Sequence, residues 1–194
     1  MPRPAVRIYF DFVDPLSYVW SRRLETPSEG VDGTPTVEWV GFELRPPPSP
    51  LTDTRDPIWV ERWSRARAAV APTGLRLDPP DLVPWTRKAH ELHLHAGQRG
   101  VGDAVRTAIF GAYFGAGQDI GRVDVLVAIG VGAGLDPTET KAVLDVDRHE
   151  ADVTAQRREA EASGVTDVPR LWDGTRLAEG FPDLTGLGTL LPDA

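Results

Sequence analysis

The chain predicts an α/β fold whose sheet-forming segments lie at its two ends, with an all-helical block between them. Three observations carry this reading. Residues 6–44 read as strand, helix, strand. Residues 57–163 lose the strand pattern and repeat apolar residues at helical spacing. From Gly164 the β-rich pattern returns, with a hairpin-type turn at Asp173-Gly174.

The first strand is expected over Val6 to Val13, apolar and aromatic nearly throughout, as in a buried central strand. Asp14 is a strong helix N-cap, and Pro15 suits the first helical position, where a missing N–H costs nothing. That helix runs to about Leu24, and the Pro, Ser, Gly and Asp of 25–35 read as a loop. Thr36 to Leu44 alternates and is β-rich, so a second strand follows. A strand–helix–strand unit of this length implies a parallel pair.

Arg45-Pro46-Pro47-Pro48-Ser49-Pro50 breaks the pattern. Helices are then expected at Ile58–Val70, opening near Asp56-Pro57, and at Trp85–Gly97, with Trp85, Ala89, Leu92 and Ala96 on one face. Further helices are expected at Gly102–Phe114 and Arg122–Gly132. Asp136-Pro137-Thr138-Glu139 opens another with an Asp cap, Pro at N1 and Glu at N3, and a last one spans Arg148–Ser163. Gly164 to Trp172 restarts a strand, Thr175 to Ala178 forms a short one, and Pro182 to Leu191 a terminal helix. The order is βαβ, a helical block, then ββα. It matches a thioredoxin fold split by a helical insertion, residues 1–54 and 164–194 forming the discontinuous domain and 55–163 the insertion.

Composition narrows the function. The 194 residues carry a net charge of −8, with 41% hydrophobic and 26% charged residues. No basic surface is evident to neutralise phosphates, which argues against a nucleic-acid partner. No run approaches the ~18 apolar residues of a membrane span. Met1-Pro2-Arg3-Pro4 leads straight into a strand without a signal-like segment, so a cytoplasmic location is expected.

The chemistry concentrates in Tyr9-Phe10-Asp11-Phe12-Val13-Asp14-Pro15-Leu16-Ser17-Tyr18. A strand feeding a capped helix aims backbone N–H groups at one point, a natural place for a ligand. The spacing resembles the active-site segment of the DsbA family, in which an aspartate stands three residues before Cys-Pro-x-Cys-Tyr. Asp11 keeps that place, but the motif here is Asp14-Pro15-Leu16-Ser17 and the chain has no cysteine at all. It therefore cannot exchange dithiol and disulfide with thiols of its own.

The resemblance extends along the chain. Trp39-Val40-Gly41-Phe42-Glu43-Leu44 is similar to the Trp-x-Pro-Phe-Glu-Leu strand of the FrnE-like branch. Ala89-His90-Glu91-Leu92, Ile109-Phe110-Gly111-Ala112-Tyr113-Phe114 and Gly117-Gln118-Asp119-Ile120 resemble further segments of it. Gly164-Val165-Thr166-Asp167-Val168-Pro169 resembles the family segment whose proline is cis. A second branch, of 2-hydroxychromene-2-carboxylate isomerase and kappa-class glutathione transferase, carries Ser-Pro-x-Ser and holds the glutathione sulfur on its first serine. This chain matches that branch at Ser17 and departs from it at Asp14. Asp183 would meet the glutamyl end of glutathione, though Leu184 stands where that branch has arginine.

What the resemblance implies is a groove against Pro15, Phe42, Asp167, Val168 and Pro169, with the Val168 backbone open to pair with a ligand as a strand would. Asp14 is then either a base in the groove or only a helix cap. Ser17 either donates to a ligand or fills a small space. Asp11 is either a buried proton relay or a solvated strand end. Trp59, Trp63 and Trp85 would wall an apolar pocket from the helical side. His90, His93 and His95 lack the usual helical zinc spacing, so no metal is expected, and they read as capping or solvent-facing. Three functions compete: a glutathione-dependent isomerase or transferase acting on an apolar small molecule, a non-redox binding protein taking a peptide or small ligand, and a thiol-independent acid–base enzyme using Asp14 and Asp11. A homodimer is expected.

Overall fold

The computed structural model describes residues 6–25, 37–71 and 77–178. Its elements are β1 (Val6–Phe10), α1 (Pro15–Glu25), β2 (Val37–Gly41), α2 (Pro57–Val70), α3 (Arg87–Gln98), α4 (Gly102–Phe110), α5 (Val123–Gly132), α6 (Pro137–Asp145), α7 (Glu150–Ala162) and β3 (Arg170–Trp172). The described strands form one sheet in the order β2-β1-β3. The β1–β2 pair is parallel, with Ile8 opposite Trp39, and β1–β3 is antiparallel, with Ile8 opposite Leu171. The most apolar strand is thus the central one, as its composition required.

The helix starts follow their caps. Asp56 Oδ1 accepts from the Ile58 N–H at 2.8 Å, and Asp136 Oδ1 from the Glu139 N–H at 2.8 Å. On one side of the sheet Val6, Ile8 and Leu171 pack with Trp20 of α1. On the other, Tyr9, Val40, Phe42 and Val168 pack with Ala160 of α7. The largest cluster joins the two parts of the chain: Phe10, Phe12, Leu16 and Val19 interlock with Trp63, Leu92, Ile109 and Phe110.

Several element boundaries differ from the sequence reading. β1 ends at Phe10 rather than Val13, because the ladder stops at the bond from Phe42 N–H to Phe10 O and residues 11–14 close a turn, Asp14 N–H donating to Asp11 O at 3.1 Å. β3 begins only at Arg170, since Pro169 has no N–H to offer a ladder and the Val168 N–H is taken by the Asp167 side chain at 2.9 Å. The strand expected at Thr175–Ala178 reduces to a bridge between Trp172 and Leu177. The helix expected to end at Phe114 continues past α4 as a π-helical turn over Gly111–Gly115. The terminal helix expected at Pro182–Leu191 lies outside the described residues.

Candidate functional site

The turn at residues 11–14 sets the site. Asp14 is fully buried and caps α1: its Oδ2 accepts from both the N–H and the hydroxyl of Ser17, each at 2.6 Å. Ser17 is equally buried, and its hydroxyl also lies 3.4 Å from the Asp11 N–H. Pro15 is buried as the first residue of α1.

The other oxygen of Asp14 reaches across to the helical block. Arg62 of α2 donates from Nη1 to Asp14 Oδ1 at 2.7 Å and, from the same nitrogen, to the Val168 carbonyl at 2.9 Å. Its Nη2 donates to Asp167. One guanidinium therefore ties the α1 cap, α2 and the loop before β3 together. The Val168–Pro169 peptide is cis. Burial pushes the Asp14 carboxyl up from its ordinary range, with Arg62 and Ser17 pulling it back. Burial opposes the charge on Arg62, but Asp14 and Asp167 more than offset it and raise its pKa.

Both backbone groups of Val168 are thus already engaged, the N–H by Asp167 and the carbonyl by Arg62. The sequence reading expected them open to a ligand; the correction comes from an arginine that the motif comparison does not include. Asp11 is buried too. Its Oδ2 accepts from the Leu44 N–H at 2.7 Å, and its Oδ1 lies 3.2 Å from His90 Nε2. His90 is therefore neither a cap nor solvent-facing: it is 1% exposed, wedged between the Phe12 ring and the Gly41 backbone, where a Cβ would come within 2.5 Å of its Nδ1. That contact accounts for glycine at position 41. Glu43 lies in the same region, its carboxyl pushed up by burial and held by Arg87 Nε at 2.7 Å. His93 is half-buried, edge-on to Phe10 and Phe12, and His95 is buried.

Beside the clamp opens a cleft of about 500 Å³. Asp11 and Asp167 border it, together with Trp59 and Arg62 of α2 and Trp85. Trp85 is not on α3, which starts at Arg87; its indole N–H donates to the Ser49 carbonyl at 2.9 Å and leaves the ring 41% exposed. Trp63 and Phe42 are buried and do not border the cleft; Phe42 lies under the Arg157 guanidinium instead. Asp183 lies outside the described residues. Arg62 and His90 are the site residues that sequence reasoning missed. Arg62 sits in the run Glu61-Arg62-Trp63-Ser64-Arg65, where nothing in the spacing separates it from an exposed helix arginine.

A family model for the DSBA-like thioredoxin domain matches residues 5–187. The chain belongs to the DSBA-like thioredoxin family. The DSBA-like chain is 30% identical over 181 residues to the uncharacterized protein YwbO of Bacillus subtilis, covering 90% of this chain and 89% of that one. It is similar to the crystal structure of the probable DsbA oxidoreductase of Streptomyces coelicolor, at 26% identity and a TM-score of 0.77, covering 96% of this chain and 88% of the other. The same fold is seen in 2-hydroxychromene-2-carboxylate isomerase, at 20% identity and a TM-score of 0.77 over 96% of this chain and 93% of that one. As a cysteine-free DSBA-like protein it presents a buried carboxylate–guanidinium pair, Asp14 and Arg62, at the start of α1. Among the described residues no group of three or more His, Cys, Asp or Glu side chains is placed to hold a metal, and no helix is long and apolar enough to cross a membrane.

Proposed function

We propose that this DSBA-like protein is a thiol-free binding protein whose ligand, a small molecule with an apolar body, occupies the cleft between Trp85 and Asp167. The observation that carries the reading is the state of Asp14. It is fully buried and both its oxygens are engaged, so it serves as a structural anchor and leaves the neighbouring cleft as the open, concave surface of the site.

A glutathione-dependent isomerase or transferase is the second reading. It draws on the likeness to 2-hydroxychromene-2-carboxylate isomerase and on the cytosolic disulfide reductase DsbM of Pseudomonas aeruginosa, solved with GSH, at 20% identity and a TM-score of 0.64 over 90% of this chain and 88% of that one. The residues here fit that cofactor poorly. A carboxylate stands where a thiol would be held, Arg62 spans from it to the loop before Pro169, and Val168 has no free backbone group. The acid–base reading is weakened at both carboxylates: Asp14 and Asp11 are each buried with both oxygens engaged.

The test is a thermal-shift screen of a small-molecule library against the protein and against Thr166→Trp, which places an indole into the cleft from an exposed position. A ligand at about 100 times its Kd stabilises by about 2.7 kcal/mol. Hits lost in Thr166→Trp support the proposal; hits unaffected by it place binding elsewhere and defeat it.

A further inference from the structure

Resting on the binding reading above, we infer that the cleft selects an organic cation, an amine or quaternary ammonium carried on an apolar or aromatic body. Arg62 bridges two carboxylates, the fully buried Asp14 and the part-exposed Asp167 that stands at the cleft wall. Asp167 Oδ1 takes both Arg62 Nη2 and the Val168 N–H. Its Oδ2 has no partner among the described residues, and its side chain is 38% exposed.

Arg62 holds Asp167 through its Oδ1 alone, and Arg45, which also borders the cleft, lies 3.8 Å from Asp56 Oδ2. Asp11, on the floor, is turned toward the Leu44 N–H and His90 Nε2. Trp85 borders the same cleft and is 41% exposed, and the bond from its indole N–H to Ser49 O orients the ring. A free carboxylate oxygen and a pre-oriented indole on one cleft are the two elements that recognise an alkylammonium group: ionic attraction on one side, the negative face of the ring on the other. The net charge of −8 adds long-range attraction for cations.

Two dyes of similar size and opposite charge test this. Thioflavin T is an aromatic monocation and 1-anilinonaphthalene-8-sulfonate an aromatic monoanion; each is titrated by its own fluorescence at low and high salt. Thioflavin T is expected to bind one per chain and to weaken as salt rises. Asp167→Asn keeps an acceptor for Arg62 and Val168 while removing the charge, and should weaken thioflavin T by about fivefold or more, with a similar loss in Trp85→Leu. The anionic dye should bind no more weakly in Asp167→Asn than in the parent, and a cooperative thermal unfolding transition shows that the variant is folded. A parent that takes the anionic dye in preference, or an unchanged thioflavin T affinity in Asp167→Asn, overturns the cation inference and leaves the binding reading intact. Binding of neither dye would defeat both.

Discussion

Arg62 and Asp14, 48 positions apart in the chain, meet at 2.7 Å with the arginine side chain 12% exposed and the aspartate fully buried. Removing one member of such a pair leaves the other as an uncompensated buried charge, which costs about 3–5 kcal/mol. Arg62→Met is expected to lose stability on that scale in urea unfolding. The double variant Arg62→Met, Asp14→Asn should recover a large part of the loss, because it removes the stranded charge. Additive losses would show that the two residues do not act as a pair.

Asp14→Ser isolates the second half of the same relationship. As an exchange of one N-cap for another it would cost less than ~1 kcal/mol. The structure revises this upward, since Arg62 loses one of its two carboxylates; about 2–3 kcal/mol is expected, Asp167 and the Val168 carbonyl still holding the guanidinium. Calorimetric titration with glutathione is expected to show no heat of binding in parent or variant. Tighter binding of glutathione to Asp14→Ser would revive the glutathione reading.

Gly41→Ala tests the wedge at His90. The new methyl would stand 2.5 Å from His90 Nδ1, an overpacking that costs about 1–3 kcal/mol. His90→Ala alone should also destabilise. In the double variant the Gly41→Ala penalty should vanish, as read by the shift in the urea midpoint.

His93 supplies a pH dependence. Burial, with smaller contributions from His90 and Arg106, lowers its pKa from 6.5 to about 3. Between those values the unfolded chain binds the proton and the folded chain does not, so stability falls as pH drops from 6.5 toward 3. A plot of thermal midpoint against pH should slope downward through that window on acidification, and His93→Gln should flatten it. An equal slope in both proteins would remove His93 from the account.

Redox inactivity follows from the sequence alone. With no cysteine, the protein should not reduce insulin or oxidise a reduced substrate protein above a buffer control.

Much of the fold was legible because it is written in short-range signals. The Asp56-Pro57 and Asp136-Pro137 caps, the apolar run of β1 and the proline break after Leu44 each specify their own element, and their order specifies the family. Trp59 and Trp85 on the cleft, and the burial of Asp11, were within reach of the same reading. The role of Arg62 was not, because its meaning comes from two carboxylates far away in sequence, and an arginine on a helix has no local signature of its partner. His90 was misread for the same reason: its burial is set by a glycine on a neighbouring strand, and helix periodicity carries no information about that contact.

The sheet has a further consequence for how the chain is assembled. Its central strand is made before the helical block, yet one of its two neighbours, β3, lies beyond that entire block, with Arg7 opposite Trp172. As the chain emerges, β1 can pair with β2 and Arg62 can reach Asp14, but one edge of β1 stays open until the helical block has been made. A nascent chain halted before Arg170 would carry an unpaired, strongly apolar strand edge, the kind of surface on which chains associate wrongly. On this topology the length of the helical block sets the interval during which the growing protein is exposed to misassembly.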